Sequence, residues 1–173
     1  MVDEHDSNIA DTTGPEFLGW LFDRHAAALE LFARQWCDCP EDVVQEALIE
    51  LAGQSRTPDD VGAWLYRVVR NKAITAWRRS QRRRRHETAA VENRPAAFER
   101  SAADRIDAGV AAAALESLSI ELREVVVARI WGGLTFQQIG QLVGISDSAA
   151  HRRYEAGLLA LRQKLRAPCA KND

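Results

Sequence analysis

Aromatic and basic side chains are interleaved in one segment of the sequence, in a pattern suited to binding unpaired nucleic acid. Residues 61–86 contain nine basic side chains and no acidic one. Aromatic rings can stack on exposed bases, and neighbouring cations neutralise phosphates. Trp64, Arg67 and Asn71 are spaced so that a helix places them on one face, although Trp64 and Trp77 can instead be core residues. The aromatic and basic set is Trp64, Tyr66, Arg67, Arg70, Asn71, Lys72, Trp77, Arg78 and Arg79.

This segment ends in a run of arginines. Positions 78–85 contain six arginines and no acidic residue. Repulsion between the guanidinium groups makes an isolated helix costly here, and a polyanion would relieve that cost. The run therefore predicts a polyanionic partner, with a solvated basic surface as the alternative interpretation.

The C-terminal part of the sequence contains the capping and termination signals of two helices that are separated by a short turn. Thr135, with Gln138 three residues later, has the spacing of a capping box. Gly144 ends that helix, and Ser146 caps the next one. This order predicts a helix-turn-helix whose second helix enters the major groove of duplex DNA. The polar side of that helix carries Ser148, His151 and Arg152, flanked by Arg153. A plain helical hairpin with a basic surface is the alternative.

A segment of opposite charge precedes the basic one. Pro40 begins a predicted helix with Glu41 and Asp42 in its first turn, where the helix dipole stabilises acidic side chains. The outer side of this helix carries Asp42, Gln45, Glu46 and Ile49. Polar acceptors around an exposed isoleucine favour a protein-binding surface over a DNA-binding one, and a solvated helix surface is the alternative.

Helices must position all of these segments, because apolar residues recur at spacings of three and four and no alternating strand pattern occurs. The predicted fold class is all-α, with two small helical domains joined by a linker. The predicted limits are 1–15 for a flexible acidic tail, 16–86 for the first domain, 87–107 for the linker, 108–166 for the helix-turn-helix domain and 167–173 for a C-terminal tail.

The net charge of −2 conceals regions of opposite charge. Residues 1–60 contain 14 acidic and 3 basic side chains, whereas residues 87–173 contain 11 of each. This asymmetry predicts two different partners, one basic or apolar and one polyanionic. The first fifteen residues lack an apolar signal-peptide region, and no run approaches the roughly 20 apolar residues of a membrane span. A cytoplasmic location without a membrane partner is therefore predicted.

The sequence contains no recognisable catalytic or metal-binding motif. The four histidines are scattered at positions 5, 25, 86 and 151, and no nucleophilic triad, phosphate loop or HExxH pattern occurs. The three cysteines, Cys37, Cys39 and Cys169, lack the further ligands of a zinc site. No catalytic residue, metal or cofactor is predicted. Free thiols in a reducing compartment are favoured, and redox sensing or metal binding remains the alternative.

The order of these motifs resembles that of the extracytoplasmic-function sigma factors of bacterial RNA polymerase. The resemblance is carried by EDVVQEALIEL, by AWLYRVVRNKA with the arginines that follow, and by LESLSIELREVVVARIWGGLTFQQIGQLVGISDSAAHRRYEAGLLALRQKL. It covers about residues 16–86, which match region 2 of the family, and 108–166, which match region 4. The resemblance implies a factor that directs core polymerase to promoters and assists strand opening.

The resemblance also implies a partner for each surface. The clamp helices of core RNA polymerase would bind Asp42, Gln45, Glu46 and Ile49. The melted −10 promoter element would bind Trp64, Tyr66, Arg67, Arg70, Asn71, Lys72, Arg78 and Arg79. The duplex −35 element would bind Ser146, Ser148, Ala149, His151, Arg152 and Arg153. An anti-sigma factor is a further partner common in the family.

The chain departs from the family pattern at several positions. Ser119 follows Leu118 where many members have a proline, and Ala149-Ala150 occupies the place of a common Thr-Val pair. These differences indicate a divergent subgroup with its own promoter sequence. The other functional class is a conventional repressor or activator, which would carry a ligand pocket or a dimerisation helix in its N-terminal half. Binding to core polymerase distinguishes the two classes.

Overall fold

A computed structural model describes residues 14–87 and 105–166, which belong to two compact units that divide between residues 89 and 90. Every regular element in these ranges is an α-helix, so the all-α prediction is confirmed. The first unit contains α1 (Pro15–Ala33), α2 (Pro40–Ala52) and α3 (Val61–Glu87). The second contains α4 (Arg105–Glu116), α5 (Ile120–Ile130), α6 (Phe136–Val143) and α7 (Asp147–Arg166). None of these seven helices is long and apolar enough to cross a membrane.

Several predicted segments lie largely outside the described residues. They are 1–13 of the acidic tail, 88–104 of the linker, and the C-terminal tail 167–173 with Cys169. Helical structure extends into the predicted linker 87–107 from both sides, since α3 continues to Glu87 and α4 begins at Arg105. The second helical region thus begins three residues before the predicted domain limit at 108.

Local signals determine where the helices of the first unit begin. Pro15 and Pro40 lie in the first turns of α1 and α2, where the fixed φ of proline suits the helix and no backbone donor is lost. The Ala63 amide donates to Oδ1 of Asp60 at 2.8 Å, so Asp60 caps α3. The three helix starts therefore follow from residues that the sequence identifies directly.

The helices of the first unit pack around a core that includes an aromatic cluster. Phe32, Leu51 and Leu65 are completely buried. The Phe32 ring meets the rings of Trp36 and Tyr66 at steep angles, with centroid distances of 5.2 and 4.9 Å. Such edge-to-face pairs stabilise a fold beyond their simple area burial. The cluster therefore holds α3 against α1.

The predicted caps of the helix-turn-helix are confirmed in the second unit. Oγ1 of Thr135 accepts from the Gln138 amide at 3.2 Å, and the Gln138 side chain accepts from the Thr135 amide at 2.6 Å. Gly144 ends α6 with a φ of 79°, a value that glycine adopts without strain. Oγ of Ser146 then accepts from the Ala149 amide at 3.2 Å, which caps α7.

Two glycines of the second unit allow unusually close packing. A Cβ added at Gly140 would lie 2.7 Å from the carbonyl oxygen of Ile145, and one added at Gly157 would lie 2.6 Å from Cγ2 of Val126. The Gly140 carbonyl also accepts from the amides of Gly144 and Ile145, both at 2.9 Å. The turn therefore packs directly on the backbone of α6, and α7 packs closely on α5.

Ile130 follows Val126 at the helical spacing of four residues, which predicts that both are buried. This prediction is wrong for Ile130, whose side chain is 48% exposed. Val125, Val126 and Val127 are all buried, so α5 is enclosed on several sides and does not expose one polar face. Ile130 is the last residue of α5 and follows this enclosed stretch. A single apolar stripe is therefore a poor description of a central helix.

Candidate nucleic-acid and protein-binding surfaces

Most of the aromatic and basic set lies on the surface of α3. The exposed members are Arg67, Asn71, Trp77, Arg78 and Arg79, and the half-buried ones are Trp64, Arg70 and Lys72. Trp77 is 46% exposed, so its indole is a surface group and not a core residue. The helix therefore presents cations and indole rings together, which is the chemistry that unpaired bases and their phosphates require.

Tyr66 corrects the sequence prediction. It is completely buried, and its ring lies against Phe32. Burial raises the pKa of the Tyr66 hydroxyl far above its ordinary value. Within the described ranges this hydroxyl has no hydrogen-bond partner. Tyr66 therefore supports α3 from the core, and the prediction that it contacts DNA does not hold.

Lys72 contacts the neighbouring helix. Its Nζ lies 3.0 Å from Oε2 of Glu50 and 3.4 Å from Oε2 of Glu46, both on α2. The hydrogen bond that Lys72 donates to Glu50 is the main reason why the pKa of Lys72 is raised above its ordinary value. A residue predicted to bind DNA is thus paired with Glu46, which is predicted to bind protein.

The four predicted protein-binding residues of α2 share one outer face. Asp42, Gln45, Glu46 and Ile49 are all exposed, and Ile49 is exposed over 72% of its surface. Their spacings of three, four and seven residues place them side by side on a helix. The opposite face of α2 carries Val44 and other completely buried side chains. The structure therefore groups an apolar side chain with polar acceptors, as the sequence predicts.

The arginine run extends the basic surface toward the end of α3. Arg78, Arg79, Arg82, Arg83 and Arg84 are exposed. A guanidinium nitrogen of Arg84 lies 3.9 Å from Oδ2 of Asp38, in the loop between α1 and α2. The run is thus continuous with the helix that carries the indole rings, and one of its members reaches the acidic side of the unit.

The candidate recognition helix is α7. Ser146, Ser148, His151 and Arg152 are exposed, and Ala149 and Arg153 are half-buried. Ala150 is completely buried, which fixes the inward side of the first turns of α7. Exposed arginine and polar side chains near the N-terminus of such a helix can bind guanine edges or phosphates.

An aromatic cluster not predicted from the sequence holds His151. The Phe136 ring, at the start of α6, meets the His151 ring at a centroid distance of 4.8 Å and the Tyr154 ring at 5.6 Å. The guanidinium carbon of Arg129, on α5, lies 4.8 Å from the centre of the Phe136 ring. Phe136 therefore connects three helices beside the predicted recognition surface. The capping box marks the start of α6 in the sequence, but it gives no information about these ring contacts.

The two described cysteines lie just before α2. Cys37 is buried, and burial raises the pKa of its thiol to about 11. The pKa of the exposed Cys39 thiol is also raised, mainly by partial desolvation and then by nearby carboxylates. Both thiols are therefore protonated near neutral pH, which disfavours thiolate chemistry. In the part of the chain that the structure describes, no group of three potential metal ligands occurs.

Comparison with known proteins identifies the family. The family model for Sigma-70 region 2 matches residues 21–83, and the model for Sigma-70, region 4 matches residues 114–163. The ECF RNA polymerase sigma factor SigL of Mycobacterium tuberculosis is 34% identical over 158 residues, covering 84% of this chain and 86% of SigL. The chain belongs to the extracytoplasmic-function family of RNA polymerase sigma factors. This sigma factor is also 28% identical to SigM of the same organism over 140 residues, covering 77% of the chain and 69% of SigM.

Solved structures agree with the fold of the sigma factor. The sigma factor RpoE from Bartonella quintana, in complex with the anti-sigma factor NepR, matches with a TM-score of 0.70 at 21% identity, covering 88% of this chain and 98% of RpoE. CnrH, in complex with the cytosolic domain of CnrY, matches with a TM-score of 0.61 at 25% identity, covering 91% and 93% of the two chains.

The family membership establishes the general role of this protein. As a sigma factor, it directs core RNA polymerase to promoter DNA in transcription initiation. The alternative of a conventional repressor or activator is set aside. Such a regulator would carry a ligand pocket or a dimerisation helix in its N-terminal half, and that half of the chain matches Sigma-70 region 2 instead.

Proposed function

We propose that this sigma factor binds core polymerase through the outer face of α2 and promoter DNA through α3 and α7. The proposed functional domains are 16–86 and 108–166, joined by 87–107. The polymerase-docking set is Asp42, Gln45, Glu46 and Ile49. The −10 set is Trp64, Arg67, Arg70, Asn71, Lys72, Arg78 and Arg79. The −35 set is Ser146, Ser148, Ala149, His151, Arg152 and Arg153.

The separation of opposite charges onto adjacent helices carries this proposal. On α2, exposed acceptors surround an isoleucine that is 72% exposed, which suits a protein surface. On α3, the exposed side chains include arginines and the 46% exposed indole of Trp77, and residues 61–86 contain no acidic side chain. A polyanion is repelled by the first surface and attracted by the second.

Catalysis belongs to the polymerase in this proposal. The sigma factor positions the promoter and stabilises separated strands, and it requires no metal or cofactor of its own. Because polymerase and chromosome share the cytoplasm of a bacterium, we place its action there. These statements rest on family membership and on the character of the two surfaces.

Affinity for a promoter would come from joining weak contacts. Two DNA-binding surfaces gain affinity when the polymerase holds both over one stretch of DNA, because the second contact becomes intramolecular. The excess of acidic residues in 1–60 opposes DNA binding by the free protein. Since RpoE and CnrH were both solved with protein partners, we include an anti-sigma factor among the proposed partners.

Charge reversal on α2 tests the docking surface. Asp42→Arg is expected to weaken binding to purified core polymerase at least about tenfold, since like charges placed in a protein interface are strongly unfavourable. Asp23→Arg, at an exposed position of α1, makes the same charge change outside the docking set and controls for general electrostatics. Equal polymerase affinities for the two variants would refute the assignment.

Truncation on α7 tests the upstream DNA surface. Promoters can first be selected as genomic fragments that the reconstituted holoenzyme transcribes. Arg152→Ala is then expected to lower −35 affinity by about 1–3 kcal/mol if the guanidinium binds a guanine edge. Arg162→Ala, an exposed position two turns or more further along α7, is the matched control. Unchanged promoter binding by the Arg152 variant would contradict the assignment.

A further inference from the structure

Lys72 lies between two carboxylates in the free protein. Its ammonium group contacts Glu50 at 3.0 Å and Glu46 at 3.4 Å, and its side chain is only 27% exposed. The pKa of Lys72 is raised by these contacts, chiefly by the hydrogen bond that it donates to Glu50, so the lysine stays charged. A phosphate that approaches this cation therefore competes with two anionic partners that are already in contact with it.

These carboxylates belong to a longer acidic edge. Three acidic residues recur at every fourth position of α2 and so form a line along one side of the helix, and a fourth lies in the loop just before it. They are Asp38, Asp42, Glu46 and Glu50. Lys72 contacts the far end of this edge, and Arg84 contacts Asp38 at the near end with 3.9 Å between the charged atoms. The acidic edge thus faces two cations of α3 that are separated by twelve residues.

Polymerase and DNA would use opposite partners of the same ion pairs. Under the proposed function, polymerase binds the outer face of α2, which includes Glu46, and DNA binds α3, which includes Lys72. The Glu46 carboxylate pairs less strongly with Lys72 when it also pairs with a cation of the polymerase. The Lys72 ammonium group likewise pairs less strongly with a phosphate while it is paired with the acidic edge.

We infer that the acidic edge competes with promoter DNA for Lys72, and that polymerase docking weakens this competition by engaging Glu46. The inference rests on the proposed function and adds a coupling between its two surfaces. In the free sigma factor the edge holds Lys72 away from DNA. When polymerase binds, Lys72 loses one of its two anionic partners and binds phosphate more readily. Because such coupling is reciprocal, DNA binding at Lys72 also favours polymerase binding at Glu46.

The size of the effect is set by the exposure of the groups. Glu46 and Glu50 are 64% and 44% exposed, so water screens their attraction to Lys72. Pairs of this kind change equilibria by about two- to fivefold when one partner is removed. The coupling therefore adjusts the affinities and does not by itself make binding all-or-none.

Polymerase affinity provides the first test. Lys72→Gln releases Glu46 and is expected to tighten binding of the full-length sigma factor to core polymerase by about two- to fivefold. Arg34→Gln is the matched control, because Arg34 contacts Glu41 of α2 at 3.2 Å and Glu41 is outside the docking set. Unchanged or weaker polymerase binding by the Lys72 variant, relative to the Arg34 variant, would overturn the inference.

Binding of the free protein to single-stranded DNA provides the second test. The probe is a fluorescent 20-nucleotide strand of mixed sequence, since a lysine–phosphate contact needs no particular bases. Glu50→Gln is expected to tighten binding by about two- to fivefold more than the control Glu41→Gln, which removes the same charge from α2. In a Lys72→Gln background the extra gain from Glu50→Gln should disappear. If the gain persists without Lys72, or never exceeds that of the control, the acidic edge does not compete for this lysine.

Two further variants distinguish failure of the coupling from failure of the proposed function. Asp42→Arg reports on polymerase docking, and Trp64→Ala reports on binding to the single strand. If these variants weaken their respective interactions while the Lys72 and Glu50 variants match their controls, the proposed function stands and the coupling is refuted. If Asp42→Arg and Trp64→Ala also have no effect, the surfaces themselves are wrongly assigned. Thermal melting of every variant verifies that each is folded.

Discussion

Replacing Gly140 with alanine tests how the helix-turn-helix is held together. A Cβ at this position would lie 2.7 Å from the carbonyl oxygen of Ile145, and 3.3 Å from Oδ1 of Asp147. The nearer atom belongs to the backbone of the turn, so it cannot move aside by a change of rotamer. The turn is also tied to Gly140 by two hydrogen bonds from the amides of Gly144 and Ile145 to its carbonyl. Any relief of the clash must therefore displace α7 relative to α6.

The expected magnitude follows from two opposing effects. Alanine is favoured over glycine inside a helix by about 1 kcal/mol. Overpacking of a close contact costs about 1–3 kcal/mol, and a clash with backbone belongs in the upper part of that range. We expect Gly140→Ala to lower the free energy of unfolding of the second unit by about 1–2 kcal/mol. For a domain of this size, that corresponds to a decrease in Tm of about 5–15 °C.

Calorimetry of the full-length protein measures this change, and Gly19 provides the control. Gly19 lies inside α1, and an added Cβ there would meet nothing within 4 Å. Gly19→Ala is therefore expected to stabilise the first unit by about 0.5–1 kcal/mol. Binding of Gly140→Ala to a −35 duplex should also weaken, because the clash tilts α7. If Gly140→Ala raised the Tm as Gly19→Ala does, the close contact between the turn and α6 would be wrong.

Three other predictions test the caps, the core and the pH dependence. Thr135→Ala removes the acceptor of the α6 capping box and should cost about 1 kcal/mol in urea denaturation; an unchanged midpoint would contradict the cap. Tyr66→Phe should leave stability unchanged or raise it by up to about 1 kcal/mol, because it removes a buried hydroxyl for which the described residues offer no partner. A loss of −10 binding by the folded Tyr66 variant would instead indicate a direct DNA contact. Burial, followed by the charge of Arg24, lowers the pKa of His25 from 6.5. The unfolded chain therefore binds the proton more readily, so stability is complete above pH 6.5 and falls as the pH decreases through that value. His25→Asn should reduce this dependence in melting experiments, and identical pH profiles would refute it.

The features that could be predicted from the sequence are those with local causes. Thr135 and Gln138 define a cap within four residues, and Gly144 ends a helix through its own φ. The proline at the start of α2 and the outer face from Asp42 to Ile49 depend only on the helical period. For this reason the helix-turn-helix and the grouping of the α2 residues agree with the structure.

The features that could not be predicted depend on how one helix lies against another. The sequence places Tyr66 among basic residues, but its burial follows from the position of Phe32, which is 34 residues earlier in the chain. Lys72 has the same helical environment as its basic neighbours, yet the register of α3 against α2 brings it to Glu46 and Glu50. The cluster around Phe136 likewise joins residues from three helices. Helical periodicity specifies a face within one helix and gives no information about such a register.

Under the proposed function, the unbroken length of α3 limits the span of promoter DNA that the helix can cover. A helix of 27 residues without a break is a rod of about 40 Å. Trp64 and Arg82 are eighteen residues apart, so their Cα atoms are separated by about 27 Å along that rod, which is the length of about eight nucleotide steps in a duplex. The indole of Trp64 and the guanidinium group of Arg82 therefore cannot contact the same nucleotide, and the helix fixes the distance between their Cα atoms. Under the proposed function, this distance sets how far a phosphate bound by Arg82 lies from a base stacked on Trp64. Inserting one residue between Arg70 and Trp77 would turn Arg82 by about 100° around the helix axis relative to Trp64. The two side chains would then no longer lie on the same side of α3.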